Sequence, residues 1–195
     1  MYQCDFDGKD AIKILDGDEI DEQKFEPGIF KVHIYKNQIY LQLGMLQVVR
    51  YDPDTKKMEF VADDVRSDWC FYKNHFYYRE RNYYGFKQVD LKTLKSKYVR
   101  GEEWSEKLEK SNDSIMYRNL ISANGKFYYI CDKKGDEKKN QPTLYLYYFK
   151  TGKKEKVAEL YDCSMIGFIE DDIILYKRNS DEEKEADICT LHILY

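Results

Sequence analysis

The chain has little of what most recognisable function classes require. It carries three prolines, ten glycines and three histidines among 195 residues. Nowhere do about 18 apolar residues run together, the length that a membrane-spanning helix needs. Met1-Tyr2-Gln3-Cys4-Asp5 runs into charge rather than into the apolar stretch of a signal peptide. The expected address is therefore cytoplasmic, or the cell surface if the chain is a segment of a longer protein. His33, His75 and His192 stand far apart, and the sequence has no Gly-x-Ser-x-Gly elbow, no His-Glu-x-x-His helix and no glycine-rich phosphate loop. Five cysteines show no paired short spacing, which excludes a zinc ribbon and a disulfide framework as sequence signals. Free cysteines beside strands behave as small buried hydrophobes and fit a reducing compartment. No metal or cofactor is expected.

Charge of one sign is missing too. Thirty-two Lys and Arg against 36 Asp and Glu give a net charge of −4 spread along the chain, too weak a field to hold nucleic acid or an anionic membrane. The basic set Lys87, Lys92, Lys95, Lys97 and Arg100 falls around one strand–turn–strand unit and reads as a solvated outer hairpin. The acidic run Asp181 to Glu185 reads as a loop tip. Asp5-Phe6-Asp7-Gly8 and Asp16-Gly17-Asp18-Glu19 have oxygen-rich spacing, but their expected flanks are strands rather than the helices of a calcium loop, and plain turns are expected.

What is present in quantity is aromatic residues, 16% of the chain with 19 tyrosines, arranged in repeats. One pattern begins at Cys4-Asp5, Tyr51-Asp52, Val89-Asp90 and Tyr147-Tyr148, each a strand, a polar turn and a returning strand. A second recurs as Asn37-Gln38-Ile39-Tyr40-Leu41, Asn74-His75-Phe76-Tyr77-Tyr78, Asn124-Gly125-Lys126-Phe127-Tyr128-Tyr129 and Asp171-Asp172-Ile173-Ile174-Leu175. Each repeat predicts four short strands, over Ile29 to Ala62, Trp69 to Arg100, Ile115 to Leu160, and Met165 to Tyr195 with its fourth strand missing. The paired tyrosines at 77–78, 128–129 and 147–148 place one ring on each face of a strand, as stacked sheets require.

Self-similar strand repeats of this length predict an all-β, propeller-like array of four-stranded blades in a single domain. Met1 to Leu15 has the pattern of the missing strand. Two arrangements follow: a closed four-blade ring in which residues 1–16 complete the blade of 163–195, or a fragment of a larger ring. The Asn-x-x-Phe-Tyr-Tyr strands and the Thr151-Gly152-Lys153 turn resemble the repeats of bacterial TolB-like propellers, including those likened to the low-density-lipoprotein-receptor-related type. Thr55-Lys56 lacks the Gly of that turn and Thr93-Leu94 lacks both Gly and Lys. The resemblance implies a propeller fold and a recognition role, and no catalytic residues come with it.

Within a blade the expected connections between strands one and two, and between three and four, are tight. The long insertions, Asp16 to Gly28, Gly101 to Ser114, Asp132 to Pro142 and Arg178 to Ala186, fall in the other connections, which open on one face of a propeller. Function concentrates on such loops. That face is expected to gather Trp104, Arg79, Arg81, Tyr83, Tyr84, Arg118, Lys177 and Arg178, planar groups that stack on sugars or peptides and fork onto carboxylates. A short helical pattern over Glu102 to Lys110 gives Trp104 a second reading, as a pin holding the insertion to the blades. The expected function is a non-catalytic binding module for a protein, peptide or carbohydrate. The alternatives are a carboxylate-based glycan hydrolase or lyase, or a structural segment of a larger surface protein. The Ser-x-Asp-x-Gly-x-Thr-Trp turn of sialidase-type propellers does not occur. Far-UV circular dichroism is expected to show a strand-dominated spectrum, and helix near one third would mean that the repeats were misread.

Overall fold

The computed structural model describes residues 1–3, 11–80, 83–103, 115–123, 125–133, 142–160, 163–169, 172–177 and 187–192. The described chain is all-β apart from one 3-10 turn, Gly17–Glu19. It divides into two compact units, Met1–Ser67 and Asp68–Tyr195.

In the first unit, β1 (Tyr2–Gln3) pairs with β2 (Ile12–Lys13). β3 (Ile29–Tyr35), β4 (Gln38–Leu43), β5 (Gln47–Asp52) and β6 (Lys57–Ala62) form an antiparallel meander, sheet 1. In the second unit, sheet 2 contains β7 (Val65–Tyr72, which begins in the first unit), β8 (His75–Glu80), β9 (Tyr83–Asp90) and β10 (Ser96–Glu103). Sheet 3 contains β11 (Ile115–Ala123), β12 (Lys126–Lys133), β13 (Thr143–Tyr148) and β14 (Lys153–Glu159). Sheet 4 has three strands, β15 (Cys163–Ile169), β16 (Asp172–Lys177) and β17 (Asp187–His192). Each sheet runs in sequence order, and successive four-stranded meanders are the blade unit of a propeller-like repeat protein. The expected fold class is the observed one.

Two local expectations are corrected. The third strand of the second repeat, expected over Phe86 to Val89, begins at Tyr83, and the fourth, expected to end at Arg100, runs on to Glu103, so Glu102 and Glu103 are strand rather than the start of a helix. Their backbones pair with Tyr84 and Tyr83, and this sheet pairing outweighs a helical pattern carried by one Trp and one Leu. The rest of that pattern lies outside the described residues, as does the Asp5 to Gly8 turn.

Alternation explains the cores. Tyr77 and Phe86 of sheet 2 are buried together with Phe127, Tyr129, Cys131 and Tyr147 of sheet 3. The Tyr77 and Phe127 rings lie 4.8 Å apart, and Tyr72 stacks on Phe149 at 5.3 Å, separations at which aromatic pairs attract beyond their area burial. Tyr78 and Tyr128 are buried on the alternate faces. Tyr148 departs from the expected pattern: it is exposed, and its hydroxyl donates to Glu155 at 2.6 Å.

In the first unit, Leu15 and Ile20 cover Leu41, Leu43, Val49 and Tyr51. The Tyr51 hydroxyl donates to the Ile14 carbonyl at 2.9 Å, and Lys56 pairs with Glu19 at 2.7 Å. Replacing Leu15, a fully buried side chain, by Ala is expected to cost about 2–5 kcal/mol in urea unfolding. A loss under about 0.5 kcal/mol would mean that the segment is not part of the core.

The polar hairpin turns share one backbone demand. Lys56, Leu94 and Gly152 occupy the same turn position and all have positive φ, at 55°, 54° and 65°. A left-handed conformation costs an ordinary L-residue roughly 1–2 kcal/mol. Where the glycine is missing, an aspartate closes the turn: Asp90 accepts from the amides of Lys92 and Thr93 at 2.9 and 2.8 Å. In the third copy, Tyr148 replaces the aspartate and Gly152 relieves the strain. Leu94→Gly is accordingly expected to stabilise the protein by up to about 1 kcal/mol in denaturant unfolding, the relief of strain being partly offset by glycine's chain entropy. A destabilised variant would show that the Leu94 side chain contributes more than its backbone costs.

Candidate functional site

The antiparallel order puts the three long connections of the second unit at one end of their sheets. β3–β4, β5–β6, β7–β8, β9–β10, β11–β12 and β13–β14 are joined by turns at one end of each sheet. Residues 104–114, 134–142 and 178–186 join β10 to β11, β12 to β13 and β16 to β17 at the other end. The first-unit insertion before β3 is structured. It contains the Gly17–Glu19 turn, and Glu26 is clamped to the β4–β5 turn, its amide donating to Gln47 at 2.8 Å and its carboxylate accepting from Met45 at 3.2 Å. Gly44 in that turn has φ 52°, and a Cβ there would lie 2.7 Å from the Glu26 Cβ, so the close approach requires glycine.

The expected site residues separate on this framework. Trp104, Arg81 and Arg178 lie outside the described residues. Tyr83 and Tyr84 open β9, their backbones opposite Glu103 and Glu102 at the long-connection end of sheet 2. Arg79 is half-buried near the end of β8, and alternation puts it on the face that carries Tyr77. The backbone of Arg118 is paired in register with Ile130 of β12. Lys177 ends β16 opposite Asp187. Tyr83, Tyr84 and Arg79 therefore share one sheet end.

A feature that the sequence reading missed lies at the tight-turn end of sheet 1. A groove of about 880 Å³ runs around the β5–β6 hairpin and is lined by Asn37, Gln38, Arg50, Asp52, Thr55 and Phe60, among others. Register puts Arg50 opposite both Tyr40 and Glu59. Arg50 pairs with Glu59, and Gln38 Oε1 accepts from the Tyr40 hydroxyl at 3.1 Å and from Arg50 at 3.3 Å. Burial would lower the Arg50 pKa, but the bonds to Glu59 more than offset it and hold the guanidinium charge. No local motif marks this cluster, because its members come from three strands.

The carboxylates nearby are also committed. The Thr55 hydroxyl, donating at 2.8 Å, and the amides of Thr55 and Asp54 hold Asp52 below the usual carboxylate range. Lys13 does the same for Asp16, and Lys56 for Glu19, so these two carboxylates are engaged in ion pairs. Lys92, Lys95 and Lys97 of the basic set are exposed. Lys87 instead lies half-buried, pairing with Glu80 at 2.6 Å and lying over the Tyr98 ring at 4.4 Å. Among the described residues no group of three His, Cys, Asp or Glu could hold a metal ion, and no helix is long and apolar enough to cross a membrane.

Titration followed by carboxyl NMR is expected to place the Asp52 midpoint below 3.8, its ordinary value, with Thr55→Ala moving it upward. Because the folded state holds this proton more weakly than the unfolded chain, the stabilisation is complete above the unfolded pKa and is lost as pH falls through the folded one. An Asp52 midpoint that is unchanged in Thr55→Ala would remove the hydroxyl as its cause.

No family model matches the sequence, and no curated protein matches it. Among solved structures, the chain is similar to the N-terminal domain of Nup159, with 12% identity and a TM-score of 0.46 over 84% of this chain and 44% of that one. It is similar to the computationally designed Ika4 protein, with 10% identity and a TM-score of 0.50 over 85% of this chain and 91% of that one. It is also similar to an oligogalacturonate lyase in complex with manganese, with 11% identity and a TM-score of 0.49 over 96% of this chain and 66% of that one. The chain thus spans less than half of the Nup159 domain and about two thirds of the lyase. At these identities the likeness is one of fold, and it extends both to a protein solved bound to a partner, Nup159 with Dbp5 from S. cerevisiae, and to an enzyme.

Proposed function

We propose that the chain is a binding module that engages a protein, peptide or carbohydrate through the long-connection ends of the sheets in its second unit. The observation that carries this reading is the sorting of connections. The three longest of the second unit, residues 104–114, 134–142 and 178–186, all leave the ends opposite the tight turns, and loop length on a fixed sheet scaffold is where recognition surfaces vary. Tyr83 and Tyr84, opposite Glu103 and Glu102 at that end of sheet 2, supply a position for aromatic anchors, the residue type that dominates binding surfaces. Arg79, Arg81, Trp104, Arg118 and Arg178 are the remaining candidate contacts. The groove on sheet 1 offers the weaker alternative, since its Arg50, Glu59, Gln38 and Asp52 already bond to one another or to the turn. Those bonds suit them to holding the hairpin's shape, and an Asp52 held ionised does not serve as a proton donor.

A glycan and peptide array identifies a ligand, after which Arg81→Ala and Arg118→Ala are expected each to weaken its binding by about 1 kcal/mol or more. Stability should stay within about 0.5 kcal/mol. Trp104→Ala separates contact from pinning, because lost binding at constant Tm means contact and a lowered Tm means pinning. Binding that survives all three changes and is lost in Arg50→Ala would move the site to the groove of sheet 1.

A further inference from the structure

The tight turns of sheets 2 and 3 are tied into one surface. The Leu91 amide, in the β9–β10 turn, donates to the Asn74 carbonyl of the β7–β8 turn at 3.0 Å. Tyr72, the last residue of β7, stacks at 5.3 Å on Phe149, which opens the β13–β14 turn. Phe127, which follows Lys126 at the start of β12, has its ring 5.1 Å from that of Phe149. These contacts bring together Lys73, Lys92, Lys95, Lys126, Lys150 and Lys153, all exposed except the half-buried Lys126. Among the described residues of these turns Asp90 is the one carboxylate, and it is already engaged. One of its oxygens accepts from the Lys92 and Thr93 amides, and the other lies 3.6 Å from His75. Among the described residues Lys92, Lys95, Lys150 and Lys153 make no ion pair, whereas Lys13, Lys24, Lys56, Lys87 and Lys156 each have a carboxylate partner. The matching turn of sheet 1 balances Lys56 and Lys57 with Asp52 and Asp54, and β16 of sheet 4 opens with Asp172, so the excess of positive charge belongs to sheets 2 and 3.

We propose that this lysine surface, at the ends opposite the long connections, is a second docking site and takes an extended acidic segment of a partner protein. Charge complementarity is the first ground, since lysines left without counter-charges attract an anionic partner and select against other surfaces. Spacing is the second. Turns two strands apart in a sheet, or on two packed sheets, stand ~10 Å apart, which an extended peptide spans in about three residues. Acidic side chains at every third position of such a segment therefore meet successive turns. The third ground is the kind of cation. A lysine ammonium is a point charge on a flexible stem and suits scattered carboxylates, whereas the planar arginine fork matches phosphate, and these turns contain no arginine. Single-stranded nucleic acid and sugars are held on outward-facing rings. Here Tyr72, Phe127 and Phe149 pack on one another instead, and the exposed Tyr148 has its hydroxyl bonded to Glu155.

Fluorescence anisotropy of the full chain with a labelled Gly-Ser peptide of about twelve residues, carrying Glu at every third position, tests the proposal. The expected result is saturable binding that weakens as salt rises from about 0.05 to about 0.5 M. Lys92→Glu with Lys95→Glu, and separately Lys150→Glu with Lys153→Glu, should each raise the dissociation constant at least about tenfold. Lys24→Glu with Lys57→Glu makes the same change in net charge at exposed positions of the first unit and should leave binding unchanged, with circular dichroism confirming that each variant is folded. A wild-type chain that does not bind the peptide overturns the proposal. So does binding that withstands both turn variants, or that falls equally in the first-unit control. Duplex DNA or alginate of matched charge that binds at least as tightly as the peptide overturns the assignment to an acidic protein segment.

Discussion

The need to bury apolar side chains on both faces of a sheet is the constraint on which the rest of the described structure depends. A four-stranded meander with alternating aromatic residues cannot hide both sides of itself, so Tyr77 and Tyr78 of one strand need two different neighbours. Between sheets 2 and 3 the need is met by a continuous cluster from Tyr77 and Phe86 to Phe127 and Tyr147. On sheet 1 it is met in part by Leu15 and Ile20 from the preceding segment.

The turns obey a second, local constraint. A hairpin between third and fourth strands needs one residue in the left-handed region, and the chain meets this in different ways in different copies. Lys56 and Leu94 accept the strained conformation beneath an aspartate that gathers the turn's amides, while Gly152 accepts it freely where the aspartate has become Tyr148. The repeat is thus conserved in backbone shape more closely than in sequence, which is why its copies look loose when read as letters. The same economy governs the charged groups of sheet 1, where Arg50, Glu59 and Gln38 from three strands satisfy one another on the face that also carries the buried Tyr40.

The proposed function attaches to this framework at its variable end. The tight-turn end is occupied by turn geometry, with Asp52 and Asp90 bound to backbone amides, and these groups have little freedom to meet a ligand. At the other end the chain leaves the sheets in connections of unequal length, and residues placed there can change without disturbing the alternation that holds the sheets together. Arg79 illustrates the boundary between the two regimes: it stands at a sheet end but belongs by alternation to the face of Tyr77, so its role is shared with packing.

The sequence by itself determined the strand class, the four-strand repeat and the positions of the tight turns, because alternation with period two and turn chemistry are local properties written in adjacent residues. It located β8, β12 and β16 from their Asn- or Asp-led starts, and it identified Tyr77, Tyr78, Tyr128 and Tyr129 as packing residues. It misplaced the start of β9 and the end of β10, where Tyr83 and Tyr84 meet Glu103 and Glu102 only through pairing across a connection. It also could not show that Arg50, Glu59 and Gln38 form one cluster. Those are decisions of register and bulges: one extra residue between Arg118 and Ile121 or between Ile29 and Lys31 changes which side chains share a face. Only the tertiary structure fixes such shifts, because they depend on how whole strands pair, and the pairing energy is summed over residues that lie far apart in the chain.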